Sequence, residues 1–208
     1  MDNEAHSRGD IVRRLAVSKL WDMSIPVLDK FAKVESKPWD RKAVVLELLG
    51  ELGSLAHEIQ YWDGYKKRVS HKSKLCDECS DVLLIVIRLA REDNIALPAE
   101  IAFDEPASRR ATDLVLEMYA LFSKLINPDN ENELHTVNSL HAMTEILQTL
   151  GSLSLLADFD LFEAHKMEMA IADGFFEASG DDWPKPNIIR HPIKTFRLYR
   201  LVKRRRPL

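Results

Sequence analysis

Cysteine is nearly absent from this chain: 208 residues include two, Cys76 and Cys79. A lone C-x-x-C supplies half the ligands of a structural zinc site, and it lies inside a helical acidic stretch instead of at the strand-to-helix turn of a thioredoxin-type redox centre. Small, half-buried helix filler is the role left to the pair. Glycine is scarce as well, at seven residues, and no run alternates apolar and polar residues between turn signals, which argues against a sheet-built fold. No window of ~18 apolar residues exists, so no membrane span is expected. Met1 to Asp10 lacks the hydrophobic stretch of a secretory signal, and the expectation is a cytoplasmic protein. There is no G-x-x-x-x-G-K-[ST] phosphate loop, no H-E-x-x-H, no histidine pair at i, i+4 and no Ser/His/Asp pattern; His57-Glu58 is followed by Ile and Gln. Nucleophilic catalysis therefore has no sequence support. The formal charge of −4 gives the whole molecule no general attraction to nucleic acid.

What the chain has is helical periodicity. Apolar residues make up 46% of it, enough for a real core, and their 3.6-residue spacing predicts an all-α helical bundle. Asp10 is the expected cap of a first helix running through Val34, with Ile11, Leu15, Leu20, Ile25, Leu28 and Phe31 facing inward and Pro26 kinking or splitting it. Ser36 to Pro38 breaks the chain, and Asp40 caps the next helix. Ile95 to Pro98 ends a further one. Phe103 to Pro106 is the best internal boundary, dividing residues 1–106 from a second helical half at 107–187. Ser108-Arg-Arg110 resembles Val12-Arg-Arg14, and Glu145-Ile-Leu-Gln-Thr-Leu-Gly-Ser-Leu153 resembles Glu47-Leu-Leu-Gly-Glu-Leu-Gly-Ser-Leu55, as in an internal duplication whose second half has lost its acids, with Thr149 where Glu51 stands. Residues 188–208 form a basic tail containing Lys203-Arg-Arg-Arg206, suited to nucleic acid or another acidic partner.

The stretch from Val44 to Glu92 carries the chemistry. On a helix turning about 100° per residue, Glu47, Glu51, Ser54 and Glu58 fall within roughly 60° of one another, beside an apolar stripe of Leu48, Leu52, Leu55 and Ile59. In the following helix Glu78 and Asp81 share a face and open the apolar run Val82 to Ile87. Carboxylates brought together at the edge of a core repel unless a cation neutralises them, and hard oxygen ligands suit Mg²⁺ or Mn²⁺. Between the helices lie Lys66, Lys67, Arg68, Lys72 and Lys74, which either grip phosphates or form an ordinary solvated loop.

Gly50-Glu51-Leu52-Gly53-Ser54-Leu55-Ala56, with Gln60 and an aromatic pair after it, and Glu78-Cys-Ser-Asp81-Val-Leu-Leu together resemble the MazG-type all-α nucleoside triphosphate pyrophosphohydrolases, most closely the dCTP pyrophosphatase-like branch. The resemblance covers Trp39 to about Leu97. It implies adjacent antiparallel helices that hold Mg²⁺ (or Mn²⁺) against a triphosphate, and hydrolysis of that triphosphate to monophosphate and pyrophosphate. Glu78 and Asp81 match the family's E-x-x-D motif in full; in its E-x-x-E motif Glu51 stands at the first acid and Ser54 at the second. The implied ligands and catalytic residues are Glu51, Glu78 and Asp81, with Glu47 or Glu58 as candidates for the carboxylate that Ser54 lacks. Trp39 and Trp62 are candidates to stack on a base or to fill the core. The serine also suits a protein of another class, a nucleotide-binding or protein-interaction module without turnover. A homodimer is open in either case.

Overall fold

The computed structural model describes residues 13–67, 71–104, 106, 109–126 and 133–179. Among them run helices α1 (Val17–Val34), α2 (Arg41–Trp62), α3 (Lys72–Glu92), α4 (Ala111–Ile126), α5 (Glu133–Leu156) and α6 (Leu161–Ser179), with two short strands, β1 (Arg13–Leu15) and β2 (Ile101–Phe103). The molecule is helical, as the periodicity predicts. The Arg68 side of the basic loop, Asn127 to Asn132 and the basic tail lie outside the described residues, as do Asp10 and Ile11.

The first helix starts later than expected. Leu15 belongs to β1, which pairs antiparallel with β2 in the register Arg13↔Phe103, Arg14↔Ala102, Leu15↔Ile101. Strands of three residues are too short to display alternation, so the ribbon was invisible in the pattern. Ala16 precedes α1 without a side-chain cap, and the helix is anchored instead by the Ser18 amide donating to the Ala99 carbonyl at 3.0 Å. Pro26 neither splits α1 nor ends it: the helix continues to Val34 with the proline on its exposed face, where the carbonyl it leaves without a partner can bond water. Asp40 caps α2 as expected, accepting from the Ala43 amide at 2.9 Å.

Cross-links fix the directions of the helices. Arg41 reaches Asp93 at 2.9 Å at one end of the α2–α3 seam, and Lys74 reaches Glu58 at 2.6 Å towards the other. Rising numbers on α2 thus meet falling numbers on α3, so the two are antiparallel. The same logic makes α4 antiparallel to α2: the Thr112 amide donates to Asp63 at 2.9 Å, and Arg41 donates to the Leu125 carbonyl at 3.0 Å. Helix α6 lies against α1 through Lys30–Asp173 and an edge-to-face pair of Phe31 and Phe176 at 4.9 Å. Every residue of α3 from Glu78 to Ala90 is buried. A helix apolar nearly all round belongs in the middle of a bundle, and α3 is that element, contacted by α1, α2, α5 and α6.

One hydrophobic core draws on residues from both sides of position 106, so the two expected halves pack on each other among the described residues. The segment between them fastens the fold. β2 pairs with β1, and Phe103 packs on α5 so closely that a Cβ at Gly151 would lie 2.6 Å from its ring. Gly151→Ala should therefore lower stability by about 1–2 kcal/mol, the overpacking cost outweighing the gain in helix propensity, and Phe103→Leu should recover part of it; a denaturation midpoint for each variant checks both.

The duplication is not carried by the packing. Helices α4 and α5 pack closely on each other, whereas α1 and α2, their expected counterparts, scarcely touch because α1 lies against α6 and α3. The leucines of the apparent repeat are nonetheless inward: Leu147, Leu150 and Leu153 are fully buried, and Leu155 is half-buried. Two leucine-rich helices with similar local sequence have found different neighbours.

Candidate metal centre

Antiparallel packing of α2 on α3 brings the two acidic motifs together. Glu51, Glu78 and Asp81 each offer a carboxylate oxygen, and these oxygens lie within 4.8 Å of one another. The three residues are only 4–5% exposed, because α3 is central and the α2 stripe borders the core. A trio of buried hard carboxylates is a donor set that Mg²⁺ or Mn²⁺ accepts and that softer metals do not select. Of the residues singled out from the sequence, these three are the ones that converge.

Glu47 and Glu58 are buried, Glu58 completely, yet neither belongs to the converging group. Glu47 lies a full turn away on the stripe, and Glu58 two turns away, where it is engaged by Lys74. Ser54 is half-buried on the same face.

The cationic loop is less uniform than its composition suggests. Lys74 faces the acidic seam through Glu58. Lys66 turns to His57 Nδ1 at 3.0 Å and lies over the Tyr61 ring, and Lys72 pairs with Asp158 at 3.1 Å. Lys67 is exposed, and Arg68 lies outside the described residues. Of these lysines, Lys66 and Lys72 are held by partners away from the acids, which is a correction to the idea of a single phosphate-gripping cluster; long side chains settle on whichever partner is nearest.

Trp39 takes the core-filling alternative and not the base-stacking one. It is 7% exposed, and the Arg88 guanidinium covers its ring at 4.0 Å from the centroid. Arg88 is in turn forked onto Glu35, with N–O distances of 2.7 and 3.1 Å. The face a base would use is taken by a cation. Trp62 is half-buried against the core.

This buried Glu35–Arg88–Trp39 group was missed in the sequence, although a signal existed. Arg88 is a charge inside the run Val82 to Ala90, and at i+7 from Asp81 it shares that acid's face of α3; a charge so placed demands a partner. A second group had no such signal. His165 of α6 is fully buried between Ser24 of α1 and Ser80 of α3, each hydroxyl 2.8 Å from a ring nitrogen. Ser24 also donates to the Leu20 carbonyl. The imidazole thus ties three helices together one residue from Asp81.

Burial pushes the His165 imidazole down to about 3 from its ordinary 6.5, a hydrogen bond with the Ser80 backbone offsetting part of the effect. The sign follows directly. Between those two values the unfolded chain binds a proton that the native protein refuses, so stability is full above pH ~6.5 and is lost as pH falls towards ~3, by about 5 kcal/mol at most. Replacing His165 with Gln should flatten that acid limb, which urea midpoints measured from pH 7 to pH 4 would detect.

Burial, with the neighbouring carboxylates adding to it, raises the Cys79 thiol well above its ordinary value, and burial and Asp77 raise Cys76. Both thiols are thereby held towards the protonated form, away from thiolate reactivity.

No helix among the described residues is long and apolar enough to cross a membrane. Neither a known protein family, a curated protein nor a solved structure matches the chain.

Proposed function

We propose that the protein is a Mg²⁺-dependent nucleoside triphosphate pyrophosphohydrolase, cleaving a nucleoside or deoxynucleoside triphosphate to the monophosphate and pyrophosphate. The observation that carries this reading is the convergence of Glu51, Glu78 and Asp81 across two antiparallel helices, in the pairing that the resemblance of their motifs implies. These three carboxylates would hold Mg²⁺ or Mn²⁺; when bound, such an ion polarises phosphoryl oxygens and lowers the pKa of water beside it. The chain's own contribution is positional. The central, fully packed α3 fixes Glu78 and Asp81, and the α2 stripe fixes Glu51 opposite them, so little reorganisation is needed when charge develops. Lys67, exposed in the loop after α2, would be the cation to meet the polyphosphate.

The experiment is a screen of nucleoside triphosphates with Mg²⁺, following pyrophosphate release. Turnover of one or more triphosphates, abolished by chelation, is the expected result; release of orthophosphate alone, or none with any triphosphate, would refute the assignment. The second reading, a nucleotide-binding module without turnover, is favoured by Ser54 in place of an acid and by the capture of Glu58 by Lys74. Stabilisation of the protein by a triphosphate with Mn²⁺, in the absence of any product, would identify it.

A further inference from the structure

Lys74 stands where it changes what the acidic seam can hold. Along α3, Lys74, Glu78 and Asp81 follow at i, i+4 and i+7 and share one face; along α2, Glu51, Ser54 and Glu58, at i, i+3 and i+7, share another. The antiparallel pairing divides the seam into two levels. At the inner one Glu51 meets Glu78 and Asp81. At the outer one Glu58 meets Lys74, N to O 2.6 Å. The Glu58 side chain is 0% exposed while that of Lys74 is 27% exposed, so a wholly buried carboxylate is neutralised by an ammonium at the edge of water. A buried carboxylate without a counter-charge costs several kcal/mol. An acid at position 74 would have made this level a second pair of carboxylates; the lysine makes it an ion pair.

We propose that Lys74 is a built-in cation occupying the place of a second divalent ion, so that the seam takes one divalent ion per chain, at Glu51, Glu78 and Asp81. The proposal rests on the metal-binding reading above, and it restricts that reading to a single ion. It also gives the loss of the acid at position 54 a reason: with Glu58 already neutralised, a carboxylate at 54 would have no second ion to bind.

The test is the number of Mn²⁺ ions bound at equilibrium, counted by titration calorimetry and by metal analysis after gel filtration. Wild type should bind one. Lys74→Ala removes the ammonium from Glu58 and should bind two, with the second ion restoring the thermal stability lost with the ammonium. Two ions in the wild type, or one in a folded Lys74→Ala variant with its stability unrestored, would overturn the proposal and leave the metal centre standing. No ion in the wild type would overturn both. A Lys74→Ala chain that stays unfolded in millimolar Mn²⁺ also overturns it, since the ion is then unable to replace the ammonium.

Discussion

Asp81→Asn should abolish Mn²⁺ binding and pyrophosphate release while the protein still folds. Asparagine keeps the shape of the side chain and removes one of three negative charges whose oxygens lie within 4.8 Å of one another. An ion held by three carboxylates loses a charged ligand, and the fall in turnover should be at least about a hundredfold, in line with the removal of one electrostatic contact at a reacting centre. Stability in the absence of metal should change little or rise, because like charges near the core repel. The metal-dependent part of the stability should vanish. An ion present at about a hundred times its dissociation constant stabilises a native protein by about 2.7 kcal/mol, so wild type should melt higher in Mn²⁺ and the variant should not. A variant that still gains stability from Mn²⁺ would move the centre away from Asp81.

Arg88→Met should be the most damaging single change to the fold. Both partners of the Glu35–Arg88 pair are 7% exposed, and removing the guanidinium leaves Glu35 buried without its counter-charge and uncovers the Trp39 ring. Breaking such a pair from one side typically costs about 3–5 kcal/mol. Glu35→Leu combined with Arg88→Met removes both charges, and most of the loss should return, because a buried ion pair and an apolar pair of similar volume are often comparable in stability. Denaturant midpoints of the two single variants and the double give the coupling directly. A small effect of Arg88→Met would mean that Glu35 turns to water once released.

The acidic centre was legible in two steps: helical periodicity puts Glu47, Glu51, Ser54 and Glu58 on one stripe and Glu78 with Asp81 on another, and the resemblance of the two motifs singles out Glu51, Glu78 and Asp81 as the acids that meet across a seam. The pattern does not say which distant helix closes the bundle. That α6 would lie against α1 and bring His165 between Ser24 and Ser80 depends on packing between segments 85 and 141 residues apart, and one histidine in one amphipathic helix carries no mark of it. The β1–β2 ribbon escaped for the opposite reason, being too local and too short to show a period. The lysines were misjudged in another way. Position in a loop fixes where a Cα lies, but a lysine's terminal nitrogen ranges several ångströms from it, and Lys66, Lys72 and Lys74 have each found a different partner.

The central position of α3 bears on how the protein opens. Amide hydrogens exchange with solvent through openings of graded cost, from fraying ends up to complete unfolding. A helix buried on every side from Glu78 to Ala90 has no partial opening that spares the rest, so its amides should exchange only when the whole molecule unfolds. The two acids of the second motif ride on that last-opening segment. Any variant that weakens the bundle, however far from the carboxylates, shortens the time for which Glu78 and Asp81 remain in register, and the exchange of their amides becomes a reporter of global unfolding.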